Sequence, residues 1–145
     1  MISIGHKLYV FGGCDCFHGR VSDLHEYDTV TNTWTALPSS PLISGRGGPS
    51  IVGSKDGQRI YIATGYSGQE NCDAYVYHIT TQTWEVITTN DDKAYRARSV
   101  CASCLLGDLF IVLGGEVSSV YRLDHNIVCV VAIILSKKYI YTVFV

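Results

Sequence analysis

Cys14-Asp15-Cys16-Phe17-His18 gathers two thiols and an imidazole in one short stretch, the ligand types that hold zinc. A closed zinc site takes four such ligands, usually as two close pairs, and no second pair answers this one. Cys101 and Cys104 have the C-x-x-C spacing of redox motifs. On a strand, an offset of three puts the two thiols on opposite faces, and no helix N-terminus is at hand to lower a thiol pKa, so strand packing is the better account. His6, His25 and His78 are scattered along the chain, and no Ser or Cys is matched with a His and an acid at a fixed spacing. That leaves an ionic set: Arg46 and Arg98, each between small residues, and Glu116 after a Gly-Gly pair. A guanidinium fork suits an oxyanion, and a carboxylate suits a hard divalent ion.

The elements that must position these residues repeat. Gly5-His6-Lys7-Leu8-Tyr9-Val10-Phe11-Gly12-Gly13, Gly57-Gln58-Arg59-Ile60-Tyr61-Ile62-Ala63-Thr64-Gly65 and Gly107-Asp108-Leu109-Phe110-Ile111-Val112-Leu113-Gly114-Gly115 align without gaps. Each is a turn, an apolar strand and a stop, with the leading glycines 52 and 50 residues apart. A second landmark, Tyr-x6-Trp, occurs at Tyr27/Trp34 and again 50 residues later at Tyr77/Trp84. Around the tryptophans, Thr31-Asn32-Thr33 matches Thr81-Gln82-Thr83, a short polar turn into a strand. Each period holds four short strands, too few to bury their faces alone, so neighbouring units must stack.

Composition agrees. A chain of 145 residues has the length of one domain, with 47% hydrophobic residues to fill a core and 17% charged, too few for a disordered chain. A formal charge of -2 with no basic stripe does not indicate a nucleic-acid footprint. Ten Tyr and fourteen Gly fit strands and turns better than a helical bundle. The start of the chain lacks the features of a secretory signal, and the six cysteines then read as free thiols, which sets the expectation of a reduced, cytoplasmic protein.

A four-stranded unit near fifty residues, with a Gly-Gly stop and a paired Tyr and Trp, resembles the kelch motif, whose repeats are blades of a β-propeller. The fold class expected is therefore all-β: a kelch-type propeller fragment of about two to three four-stranded blades with a divergent apolar C-terminal tail. Kelch repeats are expected over 1–119, with blade one at 2–43, blade two at 44–93 and a partial blade three at 94–119. Blade one should have strands at Lys7–Phe11, Leu24–Tyr27 and Thr33–Ala36, its first strand being almost absent. Blade two should have Pro49–Gly53, Arg59–Ala63, Ala74–Ile79 and Thr83–Ile87, and blade three Ser99–Leu105 and Leu109–Leu113. The Tyr and Trp should fill the space between adjacent sheets. Beyond Glu116 the period fails, so 120–145 is not expected to form a half-blade. Its two β-prone runs flank Ser136-Lys137-Lys138, which suggests a hairpin or an unpaired sticky tail and disfavours a spanning helix.

In such blades the connections from strand two to three and from strand four onward emerge on one face. That brings Cys14–Arg20, Ser67–Asn71 and Glu116 together with Arg46 and Arg98 on one rim, either as a ligand site or as solvated loop ends. Two stretches carry a narrower resemblance: Gly45-Arg46-Gly47-Gly48 leading to Thr64-Gly65-Tyr66, and Ala97-Arg98-Ser99-Val100 leading to Gly114-Gly115-Glu116. They resemble the plant nitrile-specifier and epithiospecifier proteins, kelch propellers that divert glucosinolate aglycones to nitriles or epithionitriles with ferrous iron. The resemblance implies that Arg46 and Arg98 grip a sulfated anion and that Glu116 is the first ligand of an iron triad. The family's following ligand positions hold Val120 and Asp124 here, and Glu116 alone binds a hard ion weakly.

The first expectation is thus a non-catalytic binding module, with protein partners or self-association through open blade edges. The alternative is iron-dependent specifier activity on a small sulfated anion. A third reading, an adaptor of the substrate-receptor kind, requires a recruiting domain in addition. Nucleic acid is not an expected partner, and a membrane is disfavoured.

Overall fold

The computed structural model of the chain describes residues 1–88, 97–117, 129–134 and 139–144. These form three four-stranded antiparallel sheets and one two-stranded ribbon, with no helix among the described residues. The first sheet takes β1 (Ile2–Ile4), β2 (Lys7–Phe11), β5 (Leu24–Asp28) and β6 (Thr33–Leu37) in that order. The second takes β7 (Ser50–Gly53), β8 (Arg59–Ala63), β9 (Ala74–His78) and β10 (Thr83–Val86), and the third begins with β11 (Ala102–Leu106) and β12 (Leu109–Leu113). The ribbon, β3 (Cys14–Asp15) and β4 (Gly19–Arg20), is an excursion between β2 and β5. The first strand of each sheet is the inner one, and β7 lies against both β1 and β11.

Two sequence expectations are corrected. The first sheet has its first strand: Ile2–Ile4 pairs with Lys7–Tyr9 across the two-residue turn Gly5-His6. The end of the chain also enters the fold. Cys129–Ile134 (β13) pairs with β12, and Tyr139–Phe144 (β14) pairs with β13, so the third sheet is four-stranded like the others. Ladder hydrogen bonds are made by backbone groups, and a β-prone run can complete a sheet without the Tyr and Trp that mark the earlier repeats. A hairpin, one of the two expected outcomes for this segment, is what forms. Ser136-Lys137-Lys138, the polar turn expected there, lies outside the described residues.

Side-chain alternation along each strand divides the core in two. Ile60 and Ile62 of β8 point to the first sheet, where they meet Tyr9, Phe11 and Leu24 together with Tyr75 and Tyr77. Tyr61 and Ala63 point the other way and join Val52, Val76, Phe110 and Val112 between the second and third sheets. Ile60, Ile62, Tyr77, Phe110 and Val112 have no exposed surface. Burying each isoleucine contributes about 1.5–3 kcal/mol. Among the described residues the middle sheet is thus covered on both faces, while the outer two have one covered face each.

The Tyr-x6-Trp landmark is a cross-strand pair. Tyr27 is directly opposite Trp34, with ring centroids 4.9 Å apart, and Tyr77 is opposite Trp84 at 5.0 Å. The polar turns before the tryptophans require a left-handed residue, supplied by Asn32 (φ 56°) and Gln82 (φ 55°). In the first of them Asp28 Oδ1 accepts the amides of Val30 and Thr31 at 2.8 and 3.1 Å.

Candidate functional site

The loops between the second and third strands, and those leading into the next sheet, do meet on one rim, as the strand directions require. The backbone of Arg46 is clamped to the first sheet: its amide donates to Val21 O at 3.1 Å, and its carbonyl accepts from Gly13 N at 2.9 Å. Arg98 repeats this one sheet on, donating to Asn71 O at 3.1 Å and accepting from Gly65 N at 2.9 Å. Ser99 and Glu116 exchange both backbone bonds, at 3.0 and 2.8 Å. Gly12 has to be glycine in this arrangement, since a Cβ there would lie 2.6 Å from Arg46 O and its φ is +68°.

The Arg46 side chain then turns inward. It is fully buried, and its guanidinium spends all five donors within the protein. Nε donates to Ser44 O at 3.0 Å; Nη1 donates to Thr64 O at 3.0 Å and to Asp73 Oδ1; Nη2 donates to Ser44 Oγ and to Asp73 Oδ2, both at 3.0 Å. Its carbon Cζ stands 5.4 Å from the Tyr75 ring centre. Tyr75 Oη donates within the same group, 2.7 Å from Asp73 Oδ2, and burial together with that contact pushes the phenol up to about 12. An incoming sulfate finds no free donor on Arg46, which is a bolt tying the first sheet to the second. Arg98 occupies the equivalent place, 3% exposed, with Nη1 donating to Gly114 O at 2.6 Å. Both arginines come to the expected rim, but their side chains serve the junctions beneath it.

The surface of the rim is built by other residues. At the ribbon tip Asp15 accepts the Phe17 amide at 2.6 Å and holds His18 Nδ1 at 2.8 Å. These contacts, the histidine first, lower the Asp15 carboxyl below its usual range. The fixed turn holds Phe17 out into water, 87% exposed. Arg20, at the ribbon's other end, stacks its guanidinium 4.3 Å from the centre of the Tyr66 ring. Val100, 65% exposed, stands beside Gly48 at the mouth of the inner strands.

A family model described as the KLHDC2/KLHL20/DRC7 Kelch-repeats domain matches residues 1–115. The chain belongs to the kelch-repeat family. Similar proteins include the F-box/kelch-repeat protein At2g29830 of Arabidopsis thaliana, 30% identical over 77% of this chain and 29% of that protein. Kelch domain-containing protein 10 of Homo sapiens is 35% identical over 81% of this chain and 29% of that protein. The chain thus spans less than a third of the length of either relative. In the first two sheets the Tyr-bearing strand, β5 or β9, lies between the second strand and the outer fourth.

The metal reading gains no cluster from the fold: among the described residues no group of three His, Cys, Asp or Glu side chains is arranged to hold an ion. Glu116 is fixed by its backbone, and the positions expected to follow it as ligands, Val120 and Asp124, lie outside the described residues. Cys14, Cys16, Cys72 and Cys104 are free thiols. Cys101 packs against the core between blades two and three while Cys104 is exposed, on opposite faces as the offset of three requires.

Two residues of the rim and its junction escape a search for charged motifs. Asp73, the bolt's acid, has a repeat equivalent in Asp23, each four residues before the landmark tyrosine and 50 residues apart. That spacing was available as a signal. Phe17 carries none, because an aromatic in a loop looks the same in sequence whether it is packed or held out.

Proposed function

We infer that this kelch chain is a protein-binding module that offers the ribbon rim to a protein partner. The observation that carries the reading is Phe17, held out by the hydrogen-bonded Asp15 turn. A large aromatic on a pre-ordered turn costs little entropy to bury, and Arg20 and Tyr66 beside the ribbon are of the residue types that anchor interfaces. A cytoplasmic setting goes with this reading, supported by the free thiols.

The test compares Phe17→Ala with Val30→Ala, which alters an exposed apolar residue on the opposite rim. Proteins captured by the wild-type chain are quantified by mass spectrometry against both variants. The reading expects the specific set to fall about tenfold or more with Phe17→Ala and to persist with Val30→Ala. The same set retained by Phe17→Ala and lost by Val30→Ala moves the binding face to the other rim.

The second reading is iron-dependent, nitrile-specifier-type activity, and the Ser99–Glu116 bridge favours it by holding Glu116 beside the Arg98 segment. Its assay supplies myrosinase, a glucosinolate and ferrous iron to the purified chain and measures nitrile against isothiocyanate. A nitrile yield above the iron-only control that is lost in Glu116→Gln supports it, and a yield equal to the control removes it.

A further inference from the structure

Blades one and three each keep one face that no described residue covers. On blade one it carries Leu8, Val10, Tyr27 and Trp34, with Trp34 60% exposed. On blade three β11 and β12 turn out Cys104, Leu106, Ile111 and Leu113, of which Leu106 is 65% exposed. The two faces are of opposite kinds. By the repeat, Leu8, Val10, Tyr27 and Trp34 correspond to Ile60, Ile62, Tyr77 and Trp84, the face that blade two presses on blade one. Ile111 and Leu113 correspond to Tyr61 and Ala63, the face that blade two offers to blade three. The described blades therefore present the donor half of a blade junction on one side and the acceptor half on the other.

The geometry points to a second copy of this chain as the occupant of both faces: blade one of each copy packs on blade three of the other, and two chains close one six-bladed ring. The three described sheets fall short of the about four to eight blades that close a propeller, whereas the six of a pair lie within that range. Contacts of this kind are head-to-tail, and two-fold closure leaves neither face over, which is what separates a ring from a filament. The area suffices. A face of four strands about five residues long measures roughly 19 by 17 Å, so two junctions cover four such faces, roughly 1,300 Å², within the range of stable interfaces. Trp34 and Leu106 become buried in the ring, and the rim loops take no part in these contacts.

The experiment is light scattering on the purified full chain with Trp34→Asp and Leu106→Asp, each checked for unchanged far-ultraviolet circular dichroism. Both substitutions lie on exposed side chains, and Leu113→Asp serves as a second blade-three variant. The wild type should show twice the 15.9 kDa chain mass over a wide concentration range. Each variant alone should be monomeric, its dissociation constant raised about tenfold or more. An equimolar mixture of the two should regain part of the double-mass species, because one of the two junctions in the mixed pair is intact. Three outcomes overturn the proposal: a wild-type monomer at high concentration, a mass that climbs past the dimer with concentration, or dimers lost in Trp34→Asp and kept in both blade-three variants.

Discussion

Blades one and two carry the same aromatic pair, turned to the same side of the same sheet position, yet in different surroundings. Tyr77 is fully buried between the sheets, and Trp84 lies 5.8 Å from the Phe11 ring with its indole N–H donating to Pro38 O at 2.8 Å. Tyr27 is half-buried, and Trp34 is 60% exposed. The acids differ in the same way: Asp73 grips the buried Arg46, whereas its equivalent Asp23 is exposed. The landmark residues specify a half-junction, and whether they form a core is decided by what the neighbouring sheet supplies.

Matched substitutions in the two blades turn this contrast into numbers. Tyr77→Ala should cost about 4 kcal/mol of unfolding free energy, as for other fully buried aromatics, and Tyr27→Ala about 1 kcal/mol, read by chemical denaturation of dilute protein. Equal losses would mean that the two faces are equally covered. Asp73→Ala should follow at about 3 kcal/mol, because it strands a buried guanidinium; the lower end of the expected range applies since Asp73 is a third exposed. Asp23→Ala should stay within about 0.5 kcal/mol.

One further effect has the opposite sign. Tyr27 Oη donates to Asn32 Oδ1 at 2.9 Å, but Tyr77 Oη is buried with no hydrogen-bond partner among the described residues, and Gln82 stands where blade one has Asn32. Gln82→Asn should place an acceptor for Tyr77 and a residue better suited to the left-handed backbone there, raising stability by about 1 kcal/mol in thermal melts. No gain would show that the two turns are not equivalent around their tyrosines.

The repeat made most of the fold legible. Strands two, three and four of blade one and all four of blade two fall within a residue or so of the sequence expectation, because the Gly turns and the Tyr-x6-Trp spacing bracket them. Ile2–Ile4 was not legible, being short, and the β-prone runs at Cys129–Ile134 and Tyr139–Phe144 were legible as a hairpin but not as strands of blade three, since they lack landmark side chains and are held by ladder bonds that leave little trace in side-chain type. The rim was legible as a gathering of loops, since strand direction alone dictates it. The role of Arg46 was not: an arginine among glycines looks like an anion grip until the fold returns Asp73, Thr64 and Ser44 to its five donors. A buried ion pair across a blade junction joins residues 27 positions apart, and only the repeat spacing of the acids hints at it.

Iodide quenching of the single-tryptophan chains Trp34→Phe and Trp84→Phe tests the contrast between the two junction faces most directly. At high dilution the chain retaining Trp34 should quench strongly and the chain retaining Trp84 weakly, and the Trp34 signal should become protected as concentration rises while the Trp84 signal stays constant. Trp34 as protected as Trp84 at high dilution would contradict the account, because blade one would then have no open face.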